Sequence, residues 1–214
     1  MKKKPIIVTL NILLKQYLPK NIINKINDYF WVTRVDLLLI HLSNWTPIFL
    51  QTEKDILIKQ GNISDVNEIN SSFYASAEQK QSNIDFYNNG NLLFVIKRRG
   101  IIISYSWVKL KEKSMLNYYF KLKQDEYIVV RSYTHEGHRR KGYYKHLLSH
   151  ITNQMKLKGY SKEWRDIDPS NIPPYENAIK TECEYSETFF YKIHLLKEKM
   201  IIPIGKYKHR FKKK

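Results

Sequence analysis

The chain has 214 residues, of which 43% are hydrophobic and 14% aromatic, and this composition excludes a disordered chain and allows one large domain. The formal net charge of +17 favours an anionic partner, namely nucleic acid, anionic lipid or a phosphorylated small molecule, although compositional drift toward Lys, Ile, Asn and Tyr explains much of it equally well. The single cysteine, Cys183, excludes an internal disulfide and a cysteine-cluster metal site. The histidines do not occur at the spacings typical of metal ligands on a helix, so we predict no metal site. No apolar run approaches the roughly 18 residues that span a bilayer, and we expect a cytoplasmic protein.

The two ends of the chain are predicted to lie outside the main domain. Residues 1–55 form an N-terminal extension, which is partly helical where isoleucines have helical spacing after Asn21. Residues 31–42 are apolar and β-branched and favour a strand. Residues 206–214 form a basic tail that we expect to be solvated. Either basic end provides a possible peripheral contact with an anionic membrane.

Residues 56–205 alternate between strand and helix patterns. In chain order the predicted elements are a strand at 56–59, helices at 64–77 and 79–87, strands at 92–97, 101–109, 118–122 and 126–133, a helix at 142–158, a strand at 160–167, a short helix at 174–181, and strands at 186–196 and 200–204. Arg98-Arg-Gly100 has the turn chemistry of a hairpin between two of these strands. The order predicts a mixed α/β domain whose first half is antiparallel.

The most informative segment is 127–148, a strand followed by a basic turn with glycines and an amphipathic helix. Such a unit points several backbone N–H groups at the start of the helix, where the helix dipole also favours negative charge. Arg139, Arg140 and Lys141 lie in the same turn. The segment therefore predicts a cradle for a phosphate or pyrophosphate.

Arg139-Arg-Lys-Gly142-Tyr-Tyr144 resembles the core turn of the GNAT acyltransferase superfamily, in the subset with a Gly-x-Tyr turn. Tyr144 replaces the small residue of the strict motif. Downstream, the loop containing Asn171 and the helix after it are similar to the family's corresponding loop and helix, although the usual Gly-Phe falls on Glu182-Cys183. The resemblance covers about residues 56–205. It implies a mixed, mostly antiparallel central sheet flanked by helices, with the N-terminal extension outside it.

The resemblance also implies acetyl-CoA as acyl donor and an amine as acceptor. It assigns the pyrophosphate to the backbone amides of residues 140–145, namely Arg140, Lys141, Gly142, Tyr143, Tyr144 and Lys145, with Arg139 adding charge. Ser132, Tyr133 and Thr134 would pair with the pantetheine arm as an added strand does, and Asn171 would contact it. An N–H near Tyr133 would stabilise the oxyanion of the tetrahedral intermediate.

The acid and the base are less clearly marked. Many family members have a tyrosine seven residues after the asparagine, but this chain has Ala178 there, and nearby Tyr175 is the candidate acid. The candidate bases are two carboxylates at strand ends and two histidines beside the turn. They are Glu126, Glu163, His135 and His138.

Two alternatives to an N-acyltransferase stay open. The basic hairpin of residues 92–110, with Arg98, Arg99, Tyr105 and Trp107, suggests base stacking in a nucleic-acid-binding module, although no nucleic-acid-binding signature accompanies it. The departures at Ala178 and at Glu182-Cys183 suggest a GNAT-like domain that binds a partner without catalysis. The sequence does not indicate the oligomeric state.

Overall fold

The computed structural model describes residues 30–45, 55–74, 76–111, 113–115, 118–167, 184–195 and 198–213. Within these ranges the chain forms an eight-stranded sheet, three α-helices and a separate three-stranded sheet. No helix among the described residues is long and apolar enough to cross a membrane.

The elements have the following bounds. The strands are β1 Phe30–His41, β2 Ile56–Gln60, β3 Leu92–Arg98, β4 Ile101–Lys109, β5 Lys113–Met115, β6 Tyr118–Phe120, β7 Glu126–Thr134, β8 Lys162–Ile167, β9 Glu184–Leu195, β10 Glu198–Gly205 and β11 Phe211–Lys213. The helices are α1 Ile63–Phe73, α2 Ala77–Asn88 and α3 Tyr143–Leu157.

The large sheet is antiparallel except at one place. Its strand order is β10-β9-β1-β8-β7-β4-β3-β2, and only β7 and β8 pair in parallel. The crossover between these two parallel strands is α3, as such a connection requires. This confirms the predicted mixed, mostly antiparallel sheet flanked by helices.

The two faces of the sheet are covered by different helices, because side chains alternate between the faces along each strand. On one face α1 and α2 pack over a core that includes Val66, Ile69 and Trp107. On the other face α3 packs over a core that includes Leu147, Ile151 and Tyr127. We call these the α1/α2 face and the α3 face.

The ends of the described chain are more integrated than expected. Strand β1, in the predicted N-terminal extension, lies between β8 and β9 and pairs with both. The prediction of a solvated tail was wrong for Arg210 and Phe211, which are buried, and for strand β11, which pairs with β6, whereas Lys206, Lys208 and Lys212 are exposed. A basic composition did not indicate that one arginine has a buried carboxylate partner.

Helix starts also differ in detail from the sequence prediction. The cap of α1 is Asn62, whose side chain accepts from the Asp65 backbone N–H while Asp65 accepts from the Asn62 backbone N–H. With this reciprocal capping box the helix begins at Ile63, one residue before the predicted start at residue 64. The predicted hairpin, the strand at 126–133 and the helix at 142–158 are confirmed within two residues.

Candidate functional site

Strands β7 and β8 separate part of the way along their length. Their parallel register runs from Glu126 opposite Lys162 to Val129 opposite Arg165 and then ends. Strand β7 continues to Thr134, still paired with β4 on its other side. Beyond Val129, the backbone edge of β7 that faces β8 has no strand partner in the described part of the chain. This edge, which is unpaired in the described part of the chain, runs beside Ser132, Tyr133 and Thr134, the residues predicted to pair with an extended arm, and we call it the gap.

A bulge shapes β7 at this gap. Trp107 lies opposite Val130, and Tyr105 lies opposite Tyr133, so β7 has one residue more than β4 between these pairs. Arg131 takes a positive φ of 50° within this bulge. The bulge turns the Ser132 side chain toward the α3 face, where its hydroxyl is 2.6 Å from the hydroxyl of Ser106.

The turn after β7 leads directly into α3. His135 caps a short 3-10 helix at Glu136–His138, and Arg140 and Gly142 then take positive φ values of 63° and 79°. Gly142 is the N-cap of α3, and its carbonyl oxygen accepts from the backbone N–H of His146. Glycine suits this conformation because a β-carbon strains it.

The first turn of α3 presents unsatisfied donors. The backbone N–H groups of Tyr143, Tyr144 and Lys145 precede the first helical hydrogen bond, and no described residue accepts from them. The helix dipole adds a partial positive charge at the same place. The turn can therefore bind an anion through its backbone.

The cations of the turn have different roles. The Arg139 side chain donates from Nε to the Thr134 carbonyl oxygen at 3.1 Å, lies 5.5 Å from the centre of the Tyr133 ring and pairs with Glu136 at 3.5 Å. Arg139 thus connects the end of β7 to the turn. Arg140, Lys141 and Lys145 have no acidic partner among the described residues, so their charge is available to a ligand.

Tyr144 extends from the first turn of α3 toward the gap. Burial raises the pKa of its hydroxyl, while the nearby Arg165 guanidinium and Ser132 hydroxyl act in the opposite direction. Because Ser132 belongs to β7 and Arg165 to β8, the phenol is near residues of both strands. The motif that this turn resembles has a small residue at that position.

Aromatic side chains line the other face of the gap. Phe73 packs against Tyr105 and Tyr133 with ring centres 5.5 and 5.2 Å apart, and the Tyr74 and Tyr105 hydroxyls are 2.6 Å apart. Burial, followed by the hydrogen bond with Tyr74, raises the pKa of Tyr105 far above its ordinary value. These four residues, Phe73, Tyr74, Tyr105 and Tyr133, form an aromatic cluster on the α1/α2 face.

The structure excludes both carboxylates that were candidate bases, because each is buried and already bonded. Glu126 accepts from both terminal nitrogens of Arg210, at 2.6 and 3.1 Å, and from Trp164. Burial favours a raised pKa for Glu126, but the bonds from Arg210 outweigh it and hold the pKa below its usual value. Glu163 is enclosed by Tyr127, Thr152 and Arg165. Sequence position at strand ends did not reveal these partners.

The two histidines lie in the turn and differ in environment. His135 is exposed, and its Nδ1 accepts from the Gly137 backbone N–H at 3.4 Å. The Nδ1 of His138 is buried and has no hydrogen-bond partner among the described atoms. Burial and, after it, the charge of Lys141 lower the pKa of His138, so its imidazole is neutral at neutral pH.

Other predicted site features fall outside this arrangement. Asn171 and Tyr175 lie outside the described residues. Tyr105 and Trp107 of the basic hairpin are buried, so they cannot stack nucleic-acid bases as the second alternative required. No three His, Cys, Asp or Glu side chains in the described part of the chain form a group that would hold a metal ion.

Sequence reasoning missed Arg131 and the aromatic cluster. An arginine following the apolar run Ile128-Val-Val130 was a usable signal, because a strand interior seldom contains a charge without a reason. The cluster gave no such signal, since Phe73 and Tyr105 are far apart in sequence and meet only through the fold.

Residues 63–176, more than half of the chain, match the model of the acetyltransferase (GNAT) family. No curated protein matches the sequence. A Drosophila protein of solved structure is similar with a TM-score of 0.58 and 9% identity, over 84% of this chain and 59% of that one. A functionally unknown protein from Staphylococcus epidermidis gives 0.53 and 13%, over 86% and 69% of the two chains. A protein assigned to the GNAT family from Novosphingobium aromaticivorans gives 0.51 and 14%, over 79% and 68%. At these identities the likeness shows the fold.

Proposed function

Since the chain belongs to the acetyltransferase (GNAT) family, we propose that it transfers an acyl group, in the simplest case acetyl, from acetyl-CoA to a primary amine of a small molecule or amino sugar. The observation that supports this most directly is the separation of β7 and β8 after Val129 and Arg165, next to a turn whose N–H groups lack acceptors. A slot beside an anion cradle suits a carrier that has a long amide-containing arm and a pyrophosphate.

The turn fits the phosphates of such a carrier. The N–H groups of residues 140–145 would bind the pyrophosphate, with Gly142 allowing close approach. Arg140, Lys141 and Lys145 would add charge. Arg139 would act differently from the sequence-based expectation, by fixing the position of the turn against Thr134.

The free edge of β7 fits the pantetheine arm. Ser132, Tyr133 and Thr134 would hydrogen-bond its amides as a neighbouring strand does. Tyr144 reaches the same gap, so the arm would pass beside its hydroxyl. The family resemblance implies that Asn171 would contact the arm by its side chain.

In the reaction, the neutral amine nitrogen would attack the thioester carbon, and an N–H near Tyr133 would stabilise the resulting oxyanion. The C–S bond then breaks, the amide forms, and the thiolate takes up the proton that the amine loses. His135 and His138 are the remaining candidates for accepting that proton, and Tyr175 for supplying one to the thiolate. With Glu126 and Glu163 bonded elsewhere, a water chain is the alternative base.

Calorimetry with acetyl-CoA and the full chain tests the donor. We expect micromolar binding that weakens with salt, because phosphates carry much of the interaction. Incubation with an amine panel and mass analysis of the products tests transfer. Absence of acetyl-CoA and CoA binding at micromolar concentration would overturn the proposal, whereas binding without any acetylated amine would indicate a non-catalytic domain.

A further inference from the structure

Arg131 is an exposed arginine whose charge is not compensated. Its guanidinium donates to Asn83 Oδ1 at 3.2 Å and to the Ser82 hydroxyl at 3.4 Å, and it lies 4.5 Å from the centre of the Phe86 ring. All three partners are neutral. No acidic side chain pairs with Arg131 in the described part of the chain.

Two other arginines, Arg99 and Arg210, have carboxylate partners. Arg210 binds Glu126 through two nitrogens, and Arg99 pairs with Asp55 at 3.2 Å. Neutral partners hold a guanidinium in place without cancelling its charge. Arg131 therefore keeps both its charge and part of its donor set for a ligand.

The support beneath Arg131 is rigid. Asn83 is buried and donates from its amide nitrogen to Asn70 Oδ1 at 2.9 Å, and Asn70 donates to the Lys80 carbonyl oxygen at 3.0 Å. Buried amides that satisfy one another in this way have fixed orientations. The guanidinium is thus placed before any ligand arrives, which lowers the entropic cost of binding.

The backbone at Arg131 is strained. Its φ of 50° lies in the left-handed region, which is unfavourable for a residue with a β-carbon. A glycine would avoid this cost. Such a conformation in the bulge that borders the gap is typical of a residue placed for function.

The location separates Arg131 from the donor's phosphates. Its side chain packs against α2, on the α1/α2 face that also carries the aromatic cluster, whereas the turn at the start of α3 serves the other face. Arg131 is two residues from Tyr133, a distance of at most about 7 Å along an extended strand. If an N–H near Tyr133 stabilises the oxyanion, as the proposed function requires, Arg131 is on the same strand and close to the reacting groups.

We propose that Arg131 binds an anionic oxygen group of the acceptor, so that the acceptor is an amine that also carries a carboxylate or a phosphate. Both groups match the planar fork of a guanidinium, which can bind two oxygens at once. This inference rests on the proposed function and specifies the substrate class of the same site.

The test compares amines that differ only in the anionic group. Calorimetry with the full chain, without acyl donor, measures binding of glucosamine 6-phosphate against glucosamine and of lysine against cadaverine. We expect the charged member of at least one pair to bind 10-fold or more tightly than its neutral partner. The pair that shows this difference identifies phosphate or carboxylate as the ligand group.

Two variants assign the effect to Arg131. Arg131→Gln should reduce the preference at least 10-fold, and Arg131→Lys should restore part of it, because charge returns without the fork. Arg99→Gln is the matched control, since Arg99 is an exposed arginine with the same φ of 50° at the tip of the β3–β4 hairpin. It should retain the full preference.

Three results would overturn the inference. They are equal or undetectable binding of both members in each pair, an equal loss in Arg99→Gln and Arg131→Gln, and a loss of acetyl-CoA affinity in Arg131→Gln with acceptor binding unchanged. Because acceptor binding is measured without donor, failure of the chain to bind acetyl-CoA would contradict the proposed function and leave this measurement valid.

Discussion

The two halves of strand β7 have opposite properties. Residues 126–130 are buried, Ile128 and Val129 pair with strands on both sides, and the one charged residue among them, Glu126, is bonded to a buried arginine. Residues 131–134 are exposed or half-buried, lose their partner on the β8 side, and include a bulge and a strained arginine. One strand thus has a structural half and a half available to ligands.

The difference lies in how each half satisfies its polar groups. The first half satisfies them within the protein, which fixes the sheet but leaves nothing for a ligand. The second half has a backbone edge without a strand partner among the described residues and an arginine, Arg131, whose protein partners are all neutral, so both are available to a ligand. Variants in the two halves should therefore affect different measurements.

The largest effect is expected in the first half, from Glu126→Ala. This change leaves the Arg210 guanidinium, only 8% exposed, without its carboxylate. An unpaired buried charge should lower the free energy of unfolding by about 3–5 kcal/mol. Urea denaturation followed by circular dichroism measures the change. Arg99→Gln, which breaks an exposed pair with Asp55, should change it by less than about 0.5 kcal/mol.

The same variant should alter the pH dependence of stability. The bonds from Arg210 overcome the effect of burial and hold the pKa of Glu126 below its ordinary value of 4.5. The unfolded chain thus binds a proton at this site more readily, and stability falls as pH drops through the folded-state pKa. Glu126→Ala should lose this acid-induced decrease. Equal acid sensitivity in both proteins would contradict the role assigned to the Glu126–Arg210 pair.

In the turn that follows the second half of β7, Gly142→Ala should weaken acetyl-CoA binding about 10-fold. A β-carbon at residue 142 has room, since the nearest side chain, His146, is 3.6 Å away, so the cost comes from the backbone at φ 79°. Strain of about 1–2 kcal/mol should displace the turn and its N–H groups. Gly90, also at φ 79° and remote in sequence from this turn, is the control. Gly90→Ala should lose similar stability and keep donor affinity, and equal affinity loss in both would disprove a local cradle.

Arg139→Lys should weaken donor binding about 5-fold, whereas Arg140→Lys should leave it nearly unchanged. Arg139 holds the turn through Nε and by stacking on Tyr133, and lysine reproduces neither interaction. Arg140 contributes charge, which lysine retains. Acetyl-CoA titrations of both variants compare the two. A loss confined to Arg140→Lys would mean that Arg140, and not Arg139, needs the guanidinium shape.

The sequence predicted the helix start that follows β7 better than the long-range contacts of β7 itself. The turn at Arg139–Gly142 depends on local chemistry, namely a glycine at positive φ and a helix start, so its pattern is visible in one segment. The Glu126–Arg210 pair and the insertion of β1 beside β8 join residues that are far apart in sequence. Nothing local marks such contacts. Arg131 was overlooked because its uncompensated charge depends on α2, a distant segment that supplies neutral hydrogen-bond partners instead of a carboxylate.

The smallest expected effect is a change in the pKa of His138, which is measured in the turn without any substitution. Burial, followed by the charges of Lys141, His135 and Arg98, holds the pKa of His138 below its ordinary value of 6.5. The unfolded chain therefore binds a proton at this residue more readily than the folded chain, and the free energy of unfolding decreases as the pH drops below 6.5. A bound pyrophosphate would offset the neighbouring positive charges and raise this pKa. Proton–carbon NMR titrations with and without CoA measure the shift. His150, whose pKa is lowered by burial alone, should not respond. If CoA changes the pKa of both histidines equally, or of neither, the phosphates bind away from this turn. The proposal that CoA binds beside the second half of β7 would then be wrong.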